Sequence, residues 1–169
     1  VVDDLCGQAA QEPERTRVLC ADALGILACH PRALRWLLHW IGVEIAHSGT
    51  TFALYNLRTN SAESIMAQIP APPAAPRSTS DPSPSLPDDC PSSTTPLWPP
   101  WFPVIDYERC THCRQCLNFC LFGVYAPAEN GAIHVHQPTQ CKNHCPACAR
   151  ICPSAAIIFP KHNEGPING

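Results

Sequence analysis

Eight of the twelve cysteines of this 169-residue chain lie between residues 110 and 152, in two runs of nearly the same spacing. The first run consists of Cys110, Cys113, Cys116 and Cys120, and the second consists of Cys141, Cys145, Cys148 and Cys152. The two runs are offset by 31 or 32 residues, and an apolar stretch follows each of them. The repeat predicts a duplicated unit in which each copy contains a loop, a short helix and a strand.

Thiolates spaced this closely suit cubane iron–sulfur clusters. A [4Fe–4S] cluster places four irons at the corners of a tetrahedron, and each iron takes one cysteine thiolate. Three cysteines on one short loop supply three ligands from one side, so the fourth ligand must come from elsewhere in the chain. Zinc sites use two separated pairs of cysteines, and a disulfide framework needs an oxidising compartment that nothing in the sequence indicates. The spacing therefore favours clusters over both alternatives.

The runs read C-x2-C-x2-C-x3-C and C-x3-C-x2-C-x3-C-P, and over residues 105–160 they resemble the bacterial ferredoxins that hold two [4Fe–4S] clusters. The resemblance implies that the fourth cysteine of each run ligates the other run's cluster. It assigns Cys110, Cys113, Cys116 and Cys152 to one cluster, and Cys141, Cys145, Cys148 and Cys120 to the other. The sequence departs from the family at two points, because the second run has an added residue before Cys145 and Leu121 stands where a proline is usual.

The rest of the cysteine-rich part predicts a hairpin and an apolar shell. Asn130-Gly131 is a hairpin turn signal, which would join Val124-Tyr125 to the strand at 133–135. We expect eight apolar or aromatic side chains to exclude water from the clusters: Ile105, Tyr107, Phe119, Phe122, Val124, Ile133, Ile157 and Phe159.

The first 69 residues carry alternating strand and helix signals. Residues 25–29 form an apolar run suited to a buried strand, and residues 52–55 form a second one. Between them, a helix is predicted from Pro31, a residue that the first helical turn accepts, to a stop at Gly42. Its apolar residues recur at helical spacing, and another short helix is predicted over 62–68. Residues 1–69 are therefore predicted to form a small α/β domain.

A stretch rich in proline separates the two parts. Residues 70–103 contain 12 prolines, with serine and threonine filling much of the rest, which predicts an extended linker. The predicted organisation is a small α/β domain at 1–69, a linker at 70–103, a two-cluster domain at 104–160 and a polar tail at 161–169. The fold class is α+β, with the ferredoxin-like duplicated domain at the C-terminus.

Short segments of the N-terminal part resemble the N-terminal region of heterodisulfide reductase A subunits. They are residues 4–7, 26–32 and 55–58, and Cys6 and Cys29 match cysteine positions of that pattern. The resemblance implies an oxidoreductase complex as the setting. No cysteine follows Asn60 where that family tends to have one, so buried structural thiols are the commoner expectation for Cys6, Cys20 and Cys29. No G-x-G-x-x-G fingerprint for a dinucleotide is present.

Charge and hydropathy exclude several classes of partner. The formal net charge of −3 provides no basic field for nucleic acid, and no apolar run approaches the ~20 residues that cross a bilayer. Residues 1–20 contain no signal-peptide pattern, so we expect a cytoplasmic protein. The sequence predicts an electron carrier, or a relay subunit of an oxidoreductase complex that meets redox partner proteins, rather than a catalytic subunit. The alternative is a redox- or iron-sensing regulatory protein.

Overall fold

A computed structural model describes residues 4–21, 25–43, 53–69 and 100–169 of the chain. The other segments are 1–3, 22–24, 44–52 and 70–99, so most of the predicted linker and Phe52 of a predicted strand lie outside the described residues. The side chain of Cys20 also lies outside them.

Two parallel strands and a connecting helix organise the N-terminal part. Strand β1 (Gly25–Ala28) pairs in parallel with β2 (Ala53–Asn56), and helix α3 (Pro31–Trp40) lies between them in the chain. Helix α4 (Ala62–Gln68) follows, and the backbone N–H of Ser64 donates to the hydroxyl of its N-cap, Ser61, over 3.3 Å. These four elements lie where the sequence predicts them, while the description of 1–69 as a separate domain stays a prediction.

Two helices at the start of the chain were not predicted. Helix α1 spans Leu5–Gln11 and helix α2 spans Pro13–Ala21. Asp4 caps α1, because its carboxylate accepts a hydrogen bond of 3.1 Å from the N–H of Gly7, and Pro13 occupies the first position of α2. No helix among the described ranges has the length and apolar character needed to cross a bilayer.

The cysteine-rich unit is built from very short elements. Strand β3 (Val104–Ile105) pairs antiparallel with β6 (Ile157–Ile158), so the unit's two ends meet. Strands β4 (Tyr125–Pro127) and β5 (Ile133–Val135) form the predicted hairpin. Helices α5 (Gln115–Phe119) and α6 (Ala147–Ile151) occupy equivalent places in the two copies, and a single 3-10 turn at Pro138–Gln140 precedes the second run. The predicted loop, helix and strand repeat is confirmed.

Helix α3 joins the N-terminal part to the cysteine-rich unit. Its buried side chains, including Leu34 and Leu38, belong to one hydrophobic cluster with Phe102, Val104 and Ile158. Because burial of apolar area stabilises a fold at about 25 cal/mol per Å², this shared cluster holds the two parts together. Both Trp101 and Phe102, within the range assigned to the linker, are buried in the core.

Polar contacts reinforce this junction. The guanidinium of Arg32 donates to the carboxylate of Asp106 and to the carbonyl oxygen of Ala155, each over 2.6 Å. The indole N–H of Trp40 donates to the carbonyl oxygen of Val135 over 3.1 Å. Asp106 is buried and Arg32 is largely so, and therefore the ion pair is screened only weakly by water.

The last residues fold back onto the protein. The backbone N–H of Phe159 donates to the carbonyl oxygen of Ile167 over 2.7 Å, and the side chain of Asn168 is buried. Lys161 forms an ion pair of 2.7 Å with Asp4, which caps α1. The segment predicted as a polar tail therefore contacts both the cysteine-rich unit and the start of the chain.

Candidate iron–sulfur sites

The eight cysteines of the two runs surround two cavities, four around each. Site A is lined by Cys110, Cys113, Cys116 and Cys152. Site B is lined by Cys120, Cys141, Cys145 and Cys148. Each site thus combines three cysteines of one run with the last cysteine of the other. This is the grouping that the resemblance to the ferredoxins implies.

The short helices explain this exchange of cysteines between the runs. Helix α5 carries Cys116 in its first turn and ends at Cys120, whose N–H donates to the carbonyl oxygen of Cys116 over 3.1 Å. One helical turn, about 6 Å along the axis, therefore separates a site A thiol from a site B thiol. Helix α6 repeats the arrangement, with Cys148 facing site B and Cys152 facing site A. Both sites are consequently neighbours that share two helices.

The loops around the cysteines have an unusual backbone. Among the described residues, four that are not glycine have a positive φ: His112, Arg114, His144 and Ala155. Each lies within three residues of a predicted ligand. Left-handed residues alternating with right-handed ones point successive N–H groups to one side and form concavities that bind anions, including iron–sulfur clusters. Since this conformation is costly for residues with a Cβ, its concentration in the cysteine loops indicates a functional constraint.

Hydrogen bonds to the thiols differ between the sites. In site B, the hydroxyl of Tyr125 donates to the sulfur of Cys148 over 3.1 Å. Burial raises the pKa of Tyr125 well above its usual value, so the phenol keeps its proton. In site A, the N–H of Ala156 donates to the sulfur of Cys152 over 3.3 Å, and the hydroxyl of Ser154 lies 3.6 Å from it. The role of Tyr125 was missed, because the sequence pattern marked it only as a strand residue.

The ionisation of the thiols follows their burial. Burial raises the pKa of Cys141 and of Cys148 to about 12, and that of Cys116 to about 11. Burial also acts on Cys152, but hydrogen bonds from Ser154 and the backbone outweigh it and lower the pKa of that thiol. Most of these thiols are therefore protonated at neutral pH unless a cation compensates the thiolate charge, which bound iron does.

The apolar shell is present in part. Ile105, Val124, Ile133, Ile157 and Phe159 are buried, as the sequence predicts. Tyr107 is half-buried and its hydroxyl donates to the carbonyl oxygen of Ile133 over 3.0 Å. Phe119 and Phe122 line the site B cavity, but 49% and 43% of their surfaces are exposed, so they cover that site only in part.

The residues present fit iron–sulfur clusters. The donors are soft thiols, which such clusters require. Each set of four thiols surrounds a cavity and does not converge on the position of a single metal ion. Within the described ranges, no three His, Cys, Asp or Glu side chains converge closely enough to hold one metal ion. The cavity of site B has a volume of about 390 Å³ and that of site A about 20 Å³.

The N-terminal cysteines lie apart from these two sites. Cys6 and Cys29 line a separate cavity of about 380 Å³ together with Arg58 and Lys161. Burial raises the pKa of Cys6 to about 12 and also raises that of Cys29. Both are free thiols.

Comparisons with known proteins identify one family and two relatives. Residues 102–154 match a family described as a 4Fe-4S dicluster domain. An uncharacterized ferredoxin of Methanocaldococcus jannaschii is 49% identical over 61 residues, which are 36% of this chain and 41% of the ferredoxin. The pyruvate synthase subunit PorD of the same organism is 35% identical over 63 residues, which are 37% of this chain and 71% of that subunit.

These matches set the extent of the similarity. This chain spans less than half the length of the ferredoxin that it matches. The matched family segment does not include residues 1–69, so their resemblance to heterodisulfide reductase A subunits stays a hypothesis.

Proposed function

Because this chain belongs to the ferredoxin family of 4Fe-4S dicluster proteins, we propose that it carries single electrons through two [4Fe–4S] clusters. The observation that carries this proposal is the division of eight cysteines between two neighbouring cavities, four in each. When bound, each cluster accepts and releases one electron. No residue is proposed to make or break covalent bonds with a substrate.

The chain's own residues perform three tasks in this function. The cysteines of site A and site B hold the clusters, and helices α5 and α6 keep the two sites one helical turn apart. Buried side chains such as Val124 and Ile157 exclude water. Hydrogen bonds from Tyr125 and from the N–H of Ala156 stabilise negative charge on the sulfurs that they reach. Charge can therefore be moved between the sites with little solvent rearrangement.

We propose further that the protein is a relay subunit of an oxidoreductase complex. The similarity to a subunit of pyruvate synthase supports this setting. The contact of helix α3 with Val104 and Ile158 favours a fixed arrangement over a freely tethered carrier. The proposal places the protein in the cytoplasm, where reducing conditions keep ligand thiols free of disulfides.

Metal analysis of anaerobically purified protein tests the function. Two [4Fe–4S] clusters predict about eight iron and about eight acid-labile sulfide per chain. A reductive titration should then consume about two electrons per chain. Zinc in place of iron, without visible absorbance, would contradict the proposal.

A further inference from the structure

Three large apolar side chains are exposed together at site B. Phe119, Leu121 and Phe122 flank the predicted ligand Cys120, and 91% of the surface of Leu121 is exposed. All three lie on the wall of the site B cavity. We call this set the apolar rim. Contiguous exposed apolar side chains mark interaction sites more often than isolated ones do.

The internal repeat places other residues next to site A, where the counterpart of Phe119 is the half-buried Ile151. Leu121 and Phe122 correspond, 32 residues later, to Pro153 and Ser154 next to site A. The residues that surround the site A thiols are mixed, and they include the polar or charged side chains of His112, Arg114 and Gln115. Since both copies hold the same kind of site, the holding of a cluster does not require the apolar rim.

One charge accompanies the apolar rim. Lys142 is exposed and is the single charged residue among the described residues that line the site B cavity. It follows Cys141 in the loop that the added residue lengthens. A partner surface that covers the rim would therefore meet apolar side chains and a lysine ammonium. Complementarity requires an apolar patch with a carboxylate opposite Lys142.

We propose that the apolar rim is the docking surface for a redox partner protein whose cofactor lies behind an apolar patch bordered by a carboxylate. One electron crosses this interface, so the donor is oxidised and the acceptor reduced by one electron, and no covalent bond changes. This proposal rests on the proposed electron-carrier function. It specifies in addition that site B exchanges electrons with the partner. A small contact surface of this kind is typical of transient complexes between redox proteins, which bury less surface area than most protein–protein complexes.

Voltammetry on gold electrodes with defined monolayers tests this chemistry directly. The probe surfaces are a mixed monolayer of methyl- and carboxylate-terminated alkanethiols, a purely methyl-terminated one and a hydroxyl-terminated one. The loaded wild-type protein should exchange electrons through site B fastest on the mixed monolayer and slowest on the hydroxyl-terminated one. Iron and sulfide are quantified for each variant, and the site B wave is identified by its shift in Tyr125→Phe.

Two variants separate the apolar and ionic parts of the surface. Leu121→Ser should slow exchange on both methyl-containing monolayers by about tenfold, which corresponds to ~1.4 kcal/mol. Lys142→Gln should slow exchange on the mixed monolayer alone. Met66→Ser on α4 is the matched control, because Met66 is an equally apolar side chain with 74% of its surface exposed. That control should exchange electrons at the wild-type rate on all three monolayers.

The outcomes distinguish this inference from the proposed function. Equal rates on the three monolayers, or equal rates for wild type and Leu121→Ser, would overturn docking through the apolar rim. Sedimentation of the wild type as a dimer that Leu121→Ser returns to a monomer would also overturn it, because the surface would then join two copies of this chain. Failure of a soluble viologen to reduce either site would instead contradict the electron-carrier function.

Discussion

Site A and site B hold equivalent cysteines, yet their surroundings differ. The cavity of site A is narrow. Next to it, Arg32 of helix α3 donates a hydrogen bond to the carbonyl oxygen of Ala155, three residues after Cys152. Site B is wide, and its wall includes the exposed apolar rim. Even the hydrogen bonds differ, because a tyrosine reaches a site B thiol while a backbone N–H reaches a site A thiol.

The duplication accounts for the two similar sets of cysteines, whereas residues outside the repeat make the surroundings of the two sites different. The N-terminal part packs on strands β3 and β6 and reaches Cys141 of site B, while Arg32 reaches Ala155 near site A and the apolar rim stays exposed. Since the environment of a cluster tunes its potential, the two sites should behave differently in solution.

Removal of iron should have the largest effect. The strands of the cysteine-rich unit are two or three residues long, so without clusters the core is too small to hold them. Chelation should therefore make residues 104–160 sensitive to protease, and helix α3 with them, because α3 packs on Val104 and Ile158. Limited proteolysis with mass spectrometry measures this.

The same experiment sharpens the contrast between the sites. Site B has the wider cavity and the exposed rim, so its EPR signal should disappear first during chelation. Reconstitution with iron and sulfide is the control and should restore protection. Unchanged protease protection after complete iron loss would show that the core does not depend on clusters.

Loss of single ligands should remove one site at a time. Cys152→Ala and Cys113→Ala should perturb the same EPR signal, because both cysteines line site A. Cys120→Ala and Cys145→Ala should perturb the other signal, because both line site B. Redox-titrated EPR of the four variants measures this. If Cys120→Ala and Cys113→Ala perturbed the same signal, each run of four cysteines would bind its own cluster.

Removal of the Arg32 guanidinium should loosen site A more than site B. Arg32→Met removes the ion-pair partner at 2.6 Å from the buried carboxylate of Asp106 and leaves Arg109 at 3.7 Å, which should cost up to about 3 kcal/mol of unfolding free energy. On exposure to a chelator, site A should lose its cluster faster in this variant than in the wild type. The decay of the site A EPR signal measures this rate.

The exposed pair between Arg35 and Glu108 offers a matched control. Arg35→Met removes an ion pair of 2.7 Å between side chains that are 46% and 60% exposed. Water screens such a pair, so the loss should stay below about 1 kcal/mol. An equal loss in both variants would mean that the junction is not specifically held by Arg32.

A single hydrogen bond should produce the smallest effect. Tyr125→Phe removes the donor to Cys148 and so destabilises the more negative, reduced state of site B. Its potential should fall by an amount on the order of tens of millivolts, while site A stays unchanged. Ser154→Ala is the converse variant and should shift the reduction potential of site A alone. Shifts of both potentials in either variant would contradict separate tuning.

Local pattern was sufficient for much of this molecule. The spacing of cysteines identified both runs, and Asn130-Gly131 identified the hairpin, because ligand loops and tight turns depend on residues close in sequence. Helix α3 was predictable from its apolar periodicity and the stop at Gly42, which has a φ of +81°. Helices α1 and α2 were not, because one is seven residues long and neither shows a clear apolar stripe.

The amino-acid sequence alone predicted the ligand chemistry and was sufficient to identify the duplicated cysteine runs and the ferredoxin-type segment. Only the folded structure brings Arg32 to Asp106 and Tyr125 to Cys148, and only the folded structure leaves Phe119 and Phe122 partly exposed. Arg32 and Asp106 are 74 residues apart, and no local signal links them. Spacing along the chain fixes which thiols can share a loop, whereas exposure and long-range pairing depend on which surfaces meet after folding, and that information is not local.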